Sequence, residues 1–130
     1  MNNRVLKFRI WDKPNKCFST ATIFTIQKLY PINPHNFVVQ QFTGLLDKNN
    51  KEIYEGDIIK VSELHQSQQA GPGKRQILQT FDKAIVTWKN GSYYYSPIRN
   101  VGHNIPHQLL FYGYEKEIIG NIFENPELIK

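Results

Sequence analysis

The residues of this chain whose chemistry needs placing first are a lone cysteine, four histidines, a group of acids and a run of three tyrosines. Cys17 stands beside Phe18 in a stretch that alternates like a strand. A nucleophilic cysteine needs a base or a helix N-terminus to be a thiolate at neutral pH. Four histidines leave a Cys–His pair open, but the thiol reads as buried or bland. His103 and His107 are four apart, the spacing that sets two imidazoles on one helix face. Gly102 and Pro106 make that segment a loop, and no Glu stands between the two as a zincin motif requires. His35 and His65 sit alone in loops. Glu52, Glu55 and Asp57 are the residue types of acid–base or metal chemistry, but their spacing on a turn is unspecific. Asp57 after Gly56 is better placed to accept backbone N–H bonds. No G-x-x-x-x-G-K-[ST] loop and no G-x-S-x-G elbow occurs. The reading is of no catalytic residue, no metal ligand set and no cofactor, hence not an enzyme.

Tyr93 and Tyr95 share one face of a strand and Tyr94 takes the other. Exposed rings with cations nearby stack on unpaired bases. Buried, the same rings form core or subunit interface, where tyrosine combines area with a polar handle. Lys74, Arg75, Lys89, Tyr93, Tyr95 and Arg99 are therefore the candidate contacts for nucleic acid or a protein partner.

The chain has 130 residues, a net charge of +5 and 13% aromatics. That length suits one domain or two small ones sharing a core, and the aromatic content argues for a folded chain. One cysteine excludes an internal disulfide framework and a multi-cysteine zinc site. No apolar run is long enough to span a membrane, and the charged N-terminus does not resemble a signal peptide. A soluble cytoplasmic protein is expected. The charge is uneven: residues 1–28 carry +5, 44–73 carry −2, 74–114 carry +4 and the tail from Glu115 carries −2. Such blocks make a basic face for phosphate, or they pair with each other across the fold or between subunits.

These residues must be held by strands. Ile supplies 15 residues and Ala only 3, a balance suited to pleated, half-buried surfaces. Residues 5–11 alternate, with Leu6, Phe8 and Ile10 on one side and Lys7, Arg9 and Trp11 on the other. A turn over Asp12–Lys16 leads to a returning strand over 17–26, so the chain opens with a hairpin. Pro31 and Pro34 mark a loop. A strand over 37–44 ends at Gly44, a charged turn covers 45–57, and a strand covers 58–64. Residues 65–75, with Gly-Pro-Gly, read as a flexible loop. One or two strands fill 77–88, Asn90-Gly91 signals a hairpin, and 92–98 pairs back. Loop covers 99–108. Residues 109–119 allow a short helix before Gly113 and favour a strand at 115–119. Asn125 can cap a final turn begun by Pro126.

Three segments resemble the YopX family of phage and prophage proteins. KFRIWDKPNKCF (7–18) is similar to that family's opening K-F-R-A-W-D-K, with Ile10 for the common Ala. QQFTGLLDKNNKEIYEGDIIKV (40–61) resembles its Q-Y-T-G-L-x-D-K-N-G-K-E-I-Y-E-G-D-I block, with Phe42 for Tyr and Asn50 for Gly. EIIGNIFENPELI (117–129) resembles the closing V-I-G-N-I-Y-E-N-P-E-L-L. The resemblance implies a phage-encoded, β-rich protein with a C-terminal SH3-like barrel, and brings no catalytic residues with it. Asn50 is tolerable because Asn also visits left-handed φ. Read as architecture, Asp57 and Asn121 satisfy backbone groups at bends, and Ile118, Ile119 and Ile122 supply core.

The expected fold is mainly β: an N-terminal hairpin region (1–36) packed with an SH3-like barrel of short antiparallel strands (37–130) as one compact unit, with a short C-terminal helical turn. The expected function is that of a non-enzymatic, self-assembling interaction module, a homo-oligomer whose host or phage partner is unknown, with no membrane role. The alternative is a nucleic-acid-binding module using segments 1–28 and 74–99.

Overall fold

The computed structural model describes residues 6–29, 35–66, 72, 75–98, 107–108 and 114–129. It is mostly β, in two antiparallel sheets. The elements run β1 (Phe8–Asp12), β2 (Cys17–Ala21), α1 (Ile23–Leu29), β3 (Phe37–Leu46), β4 (Glu52–Tyr54), β5 (Asp57–Gln66), β6 (Arg75–Lys89), β7 (Ser92–Pro97), β8 (His107–Gln108) and β9 (Tyr114–Asn121). A 3-10 turn over Pro126–Ile129 follows. The first sheet has the order β2-β1-β3-β4 and the second β8-β7-β6-β5-β9. No helix of the described residues is long and apolar enough to cross a membrane.

The opening hairpin forms as its alternation predicts, with Ile10 opposite Ser19 and Asp12 opposite Cys17. Its turn is held by Asp12, whose Oδ1 accepts the Asn15 N–H at 3.1 Å. The returning strand stops at Ala21, and residues 23–29 form α1 instead of continuing it. Thr22 starts the helix: its Oγ1 accepts the Thr25 N–H at 3.3 Å and its carbonyl accepts the Ile26 N–H at 3.0 Å. Ile23 and Ile26, three apart, lie beside Phe8 and Val39. The Thr22 cap favours the helix here over the β preference of an Ile- and Thr-rich run, and Ile23 stays 49% exposed.

Strand β3 joins the N-terminal hairpin to the rest. Its first half pairs with β1 and its second half with β4. Gly44 does not end it; it sits inside at φ +88°, between the paired residues Phe42 and Leu46 where the register shifts. A left-handed residue there makes a bulge that bends the strand. The charged segment expected as a turn also contributes β4. Asn50, at φ +63°, takes the left-handed place expected of it.

In the second sheet, β6 is a single long strand. Asn90 and Gly91, at φ +50° and +80°, form the tight turn to β7 with the twist that matches paired strands. Register shifts along β5 are the irregularities that curl this sheet into a half-barrel. Inside it lie Ile53, Ile59, Val61, Phe81, Ala84, Val86, Tyr93 and Tyr95, with Leu45 and Ile118 packed against them. Each such aliphatic side chain contributes roughly 1.5–3 kcal/mol by leaving water. Ile119 points outward at 38% exposure, so of the C-terminal isoleucines Ile118 serves the core and Ile119 does not.

Candidate functional site

The residues quoted from the three motif blocks converge where the two sheets meet. Arg9 projects from β1 towards the second sheet. Its Nη2 lies 2.6 Å from Asp57 Oδ1, and its Nε donates to Gln40 Oε1 at 2.8 Å. The guanidinium is sandwiched by the rings of Phe18 and Tyr54, at 4.3 and 4.6 Å from their centroids, a stacking that its flat, weakly hydrated charge favours. Asp57 Oδ2 accepts the Tyr54 N–H at 2.8 Å, and its Oδ1 also accepts from Asn121 Nδ2 at 3.2 Å. Asn121 in turn accepts the Phe123 N–H at 2.9 Å. Gln40, Asp57 and Asn121 are each under 4% exposed.

Buried polar groups persist only when hydrogen-bonded, and this set is bonded mainly within itself. Gly56, at φ +84°, completes it: a Cβ there would collide with the Gln40 amide. Its N–H donates to Val86 O and its carbonyl accepts from Ile122 N–H. Asp57 is therefore the backbone-binding turn residue that its place after Gly56 suggests. Its partners Arg9 and Asn121, and Gln40 that accepts from both, were not foreseen from the sequence. The available signal was a polar residue at an inward strand position, as Gln40 is within FVVQQF.

A second buried carboxylate ties the β3–β4 loop to β9. Asp47 accepts the N–H groups of Asn49 and Lys51 at 2.8 and 2.9 Å, and that of Ile118 at 3.0 Å. Burial pushes its carboxyl up, but these three donors and nearby Lys51 outweigh it and hold the pKa below the ordinary 3.8. On the surface, Lys7 pairs with Glu52, which also accepts the Tyr54 hydroxyl at 3.1 Å. The Lys7 bond outweighs desolvation and lowers the Glu52 pKa. Burial, then Glu52, pushes the Tyr54 hydroxyl up to about 12. Lys48 pairs with Glu117 at 3.0 Å, which raises its pKa. The basic block at 1–28 thus meets the acidic block at 44–73, and Lys48 of that block meets the acidic tail.

Of the sequence candidates, Tyr93, Tyr95 and Lys89 have described side chains. Tyr93 and Tyr95 are 5% and 0% exposed. They face the half-barrel interior, which removes them as stacking platforms: their β7 face is the one paired with Val86 and Trp88 of β6. Lys89 is exposed beside them. Arg75 is placed only as the first residue of β6, and Lys74 and Arg99 lie outside the described residues. His103 lies outside them too, as does much of the loop 65–75 and the segment before Gly113. Cys17 is exposed. No group of three or more His, Cys, Asp or Glu stands in metal-binding geometry among the described residues.

The aromatic that reaches solvent on this side is Trp88, 48% exposed, its ring edge-on to Tyr93 at 4.7 Å. It flanks a cleft of about 240 Å³ between the sheets, lined also by Val38, Gln40, Glu55, Gly56 and Phe123.

The YopX protein family model matches residues 15–130. The chain belongs to the YopX family. Most of the first motif block precedes the matched region, yet its Arg9 is bonded to residues within it. No curated protein matches the chain. Among solved structures, it is similar to the crystal structure of protein EF1440 from Enterococcus faecalis. The likeness has a TM-score of 0.55 at 24% identity, and covers 98% of this chain and 100% of that one. At that identity the likeness concerns the fold. Arg9, Gln40, Asp57 and Asn121 of the three motif blocks thus bond to one another, as the joint between two sheets.

Proposed function

We propose that this YopX-family protein is a phage- or prophage-encoded accessory protein of the cytoplasm, a non-enzymatic interaction module that self-assembles through the edge of its first sheet. The observation that carries the reading is strand β2. Among the described residues it pairs only with β1, and its CFSTA sequence holds no charge, proline or glycine. Bare edges of this kind template pairing with another strand. The other sheet edges are less suited: β4 has three residues and β8 two. Strand β9 carries Glu115, Lys116 and Glu117, with Lys116 half-buried, its pKa lowered by burial. Two copies of an uncharged strand meet across a twofold axis without like-charge conflict. Next to β2, α1 exposes Ile23 at 49% and Phe24 at 79%, over an apolar groove that includes Phe8 and Val39.

The reading is tested by light scattering across a wide concentration range. The wild type is expected to associate. A Thr20→Lys, Phe24→Lys variant, charged at two exposed positions, is expected to remain monomeric. A wild type that stays monomeric throughout overturns self-assembly. The phage half is tested by recovery of one specific protein from prophage-induced cells at high salt, indifferent to nuclease. Nucleic-acid binding is the second reading, favoured by Lys89 beside the exposed Trp88. It predicts binding that weakens steeply with salt.

A further inference from the structure

We propose that the cleft between the two sheets is a docking site for one large apolar side chain of a protein partner. In it, a backbone carbonyl next to that side chain accepts a hydrogen bond from the Gln40 amide. This goes beyond self-association at β2, because it concerns a different place in the fold and a different partner.

Both aromatic walls are held before anything binds. Trp88 is fixed edge-on by Tyr93, and Phe123 is stacked on Trp11 with centroids 5.5 Å apart and planes 13° from parallel. Val38, Val86 and Ile122 complete an apolar lining. Preorganised walls reduce the ordering cost of binding. At about 240 Å³ the space is below that of most small-molecule sites, which run from roughly 300 Å³ upward. It suits a single anchoring side chain of the kind that dominates interface energetics.

Gln40 adds direction. It is 3% exposed, and its Oε1 accepts from Arg9 Nε and Asn121 Nδ2, which settles the orientation of the amide. Its Nε2 donates to none of the described residues and lies against Gly56, another wall of the cleft. A directed amide donor open to the cleft is placed to exchange water for a carbonyl acceptor. The ionisable side chain in the lining is Glu55, already accepting the Gln41 N–H at 2.8 Å. Its carboxylate opposes phosphate, so an uncharged or cationic peptide suits the cleft better than a nucleic-acid backbone.

The test uses the full chain labelled with ¹⁵N. The ligands are N-acetyl-phenylalaninamide and N-acetyl-leucinamide, with N-acetyl-glycinamide as the control lacking a side chain and a short oligothymidylate as the nucleic-acid arm. The first two are expected to shift the Gln40 side-chain amide and the Gly56, Thr87 and Phe123 signals saturably, with a Kd of about 1 mM, in line with their size. The glycine compound is expected to leave them in place. Trp88→Ala, at a half-exposed position, should keep the spectrum dispersed and weaken binding about fivefold. Absent or unsaturable shifts, or affinity unchanged in Trp88→Ala, overturn the proposal. So does oligothymidylate shifting these signals while the amides do not, which would reassign the cleft to nucleic acid. A monomeric protein whose cleft binds sinks the β2 reading alone; an oligomer with a silent cleft sinks this one alone.

Discussion

Arg9 and Asp57 are a charge pair whose partners are 48 positions apart in the chain and 2.6 Å apart in space. Asp57 is almost wholly out of water, so removing it strands the Arg9 charge and the Tyr54 N–H together. Asp57→Ala should lower stability by about 3–5 kcal/mol, the usual effect of breaking one side of a buried pair; a urea-unfolding midpoint close to wild type would contradict the joint described above. Asp47 gives a pH signature. Its folded pKa is depressed, so its contribution is present above the unfolded carboxylate value and fades as pH falls through the lower folded one. The stability gap between wild type and Asp47→Asn should therefore be full at neutral pH and shrink below about pH 4, the unperturbed Asp range. Paired unfolding curves across that range check it; a gap that widens in acid has the wrong sign.

Among the elements, two glycines separate conformation from crowding. Gly44 and Gly56 share a φ near +85°, at +88° and +84°. A Cβ on Gly44 meets nothing within 4 Å, whereas one on Gly56 runs into Gln40. Gly44→Ala should cost about 1–2 kcal/mol, the left-handed penalty alone. Gly56→Ala should cost more by roughly a further 1–3 kcal/mol, the range for forcing extra atoms into a packed site. Equal losses in thermal melts would mean that Gln40 moves aside freely. Helix α1 teaches a related lesson. Its residues prefer strand by type, and what starts the helix is the Thr22 cap, while Ile23 and Phe24 remain exposed. The Asn90-Gly91 turn was legible outright, because its left-handed backbone depends on two adjacent residues and on nothing distant.

At the scale of the whole molecule, the joint of Arg9, Gln40, Asp57 and Asn121 links the sheet that begins the chain to the one that ends it. Strand β3 crosses from one pairing environment to the other. We propose that the two sheets unfold together: calorimetry should give one transition with equal calorimetric and van't Hoff enthalpies. Two resolved transitions in the wild type would mean that the joint does not couple them.

What the sequence determined by itself is local. Alternation set the strands, Asn90-Gly91 and Asn50 set left-handed turns, and Asp57 after Gly56 marked a carboxylate that binds backbone. The three motif blocks identified the family before any fold was known. Tertiary structure decided the rest, because it rests on residues brought together from distant positions. It made core of Tyr93 and Tyr95 and left Trp88 at the rim, a choice that strand alternation cannot make, since period two says which residues share a face and not which face is covered. It also gathered Arg9, Gln40, Asp57 and Asn121 into one buried network. The need for each buried polar group to find a partner is general, but which partner it finds depends on how the sheets pack.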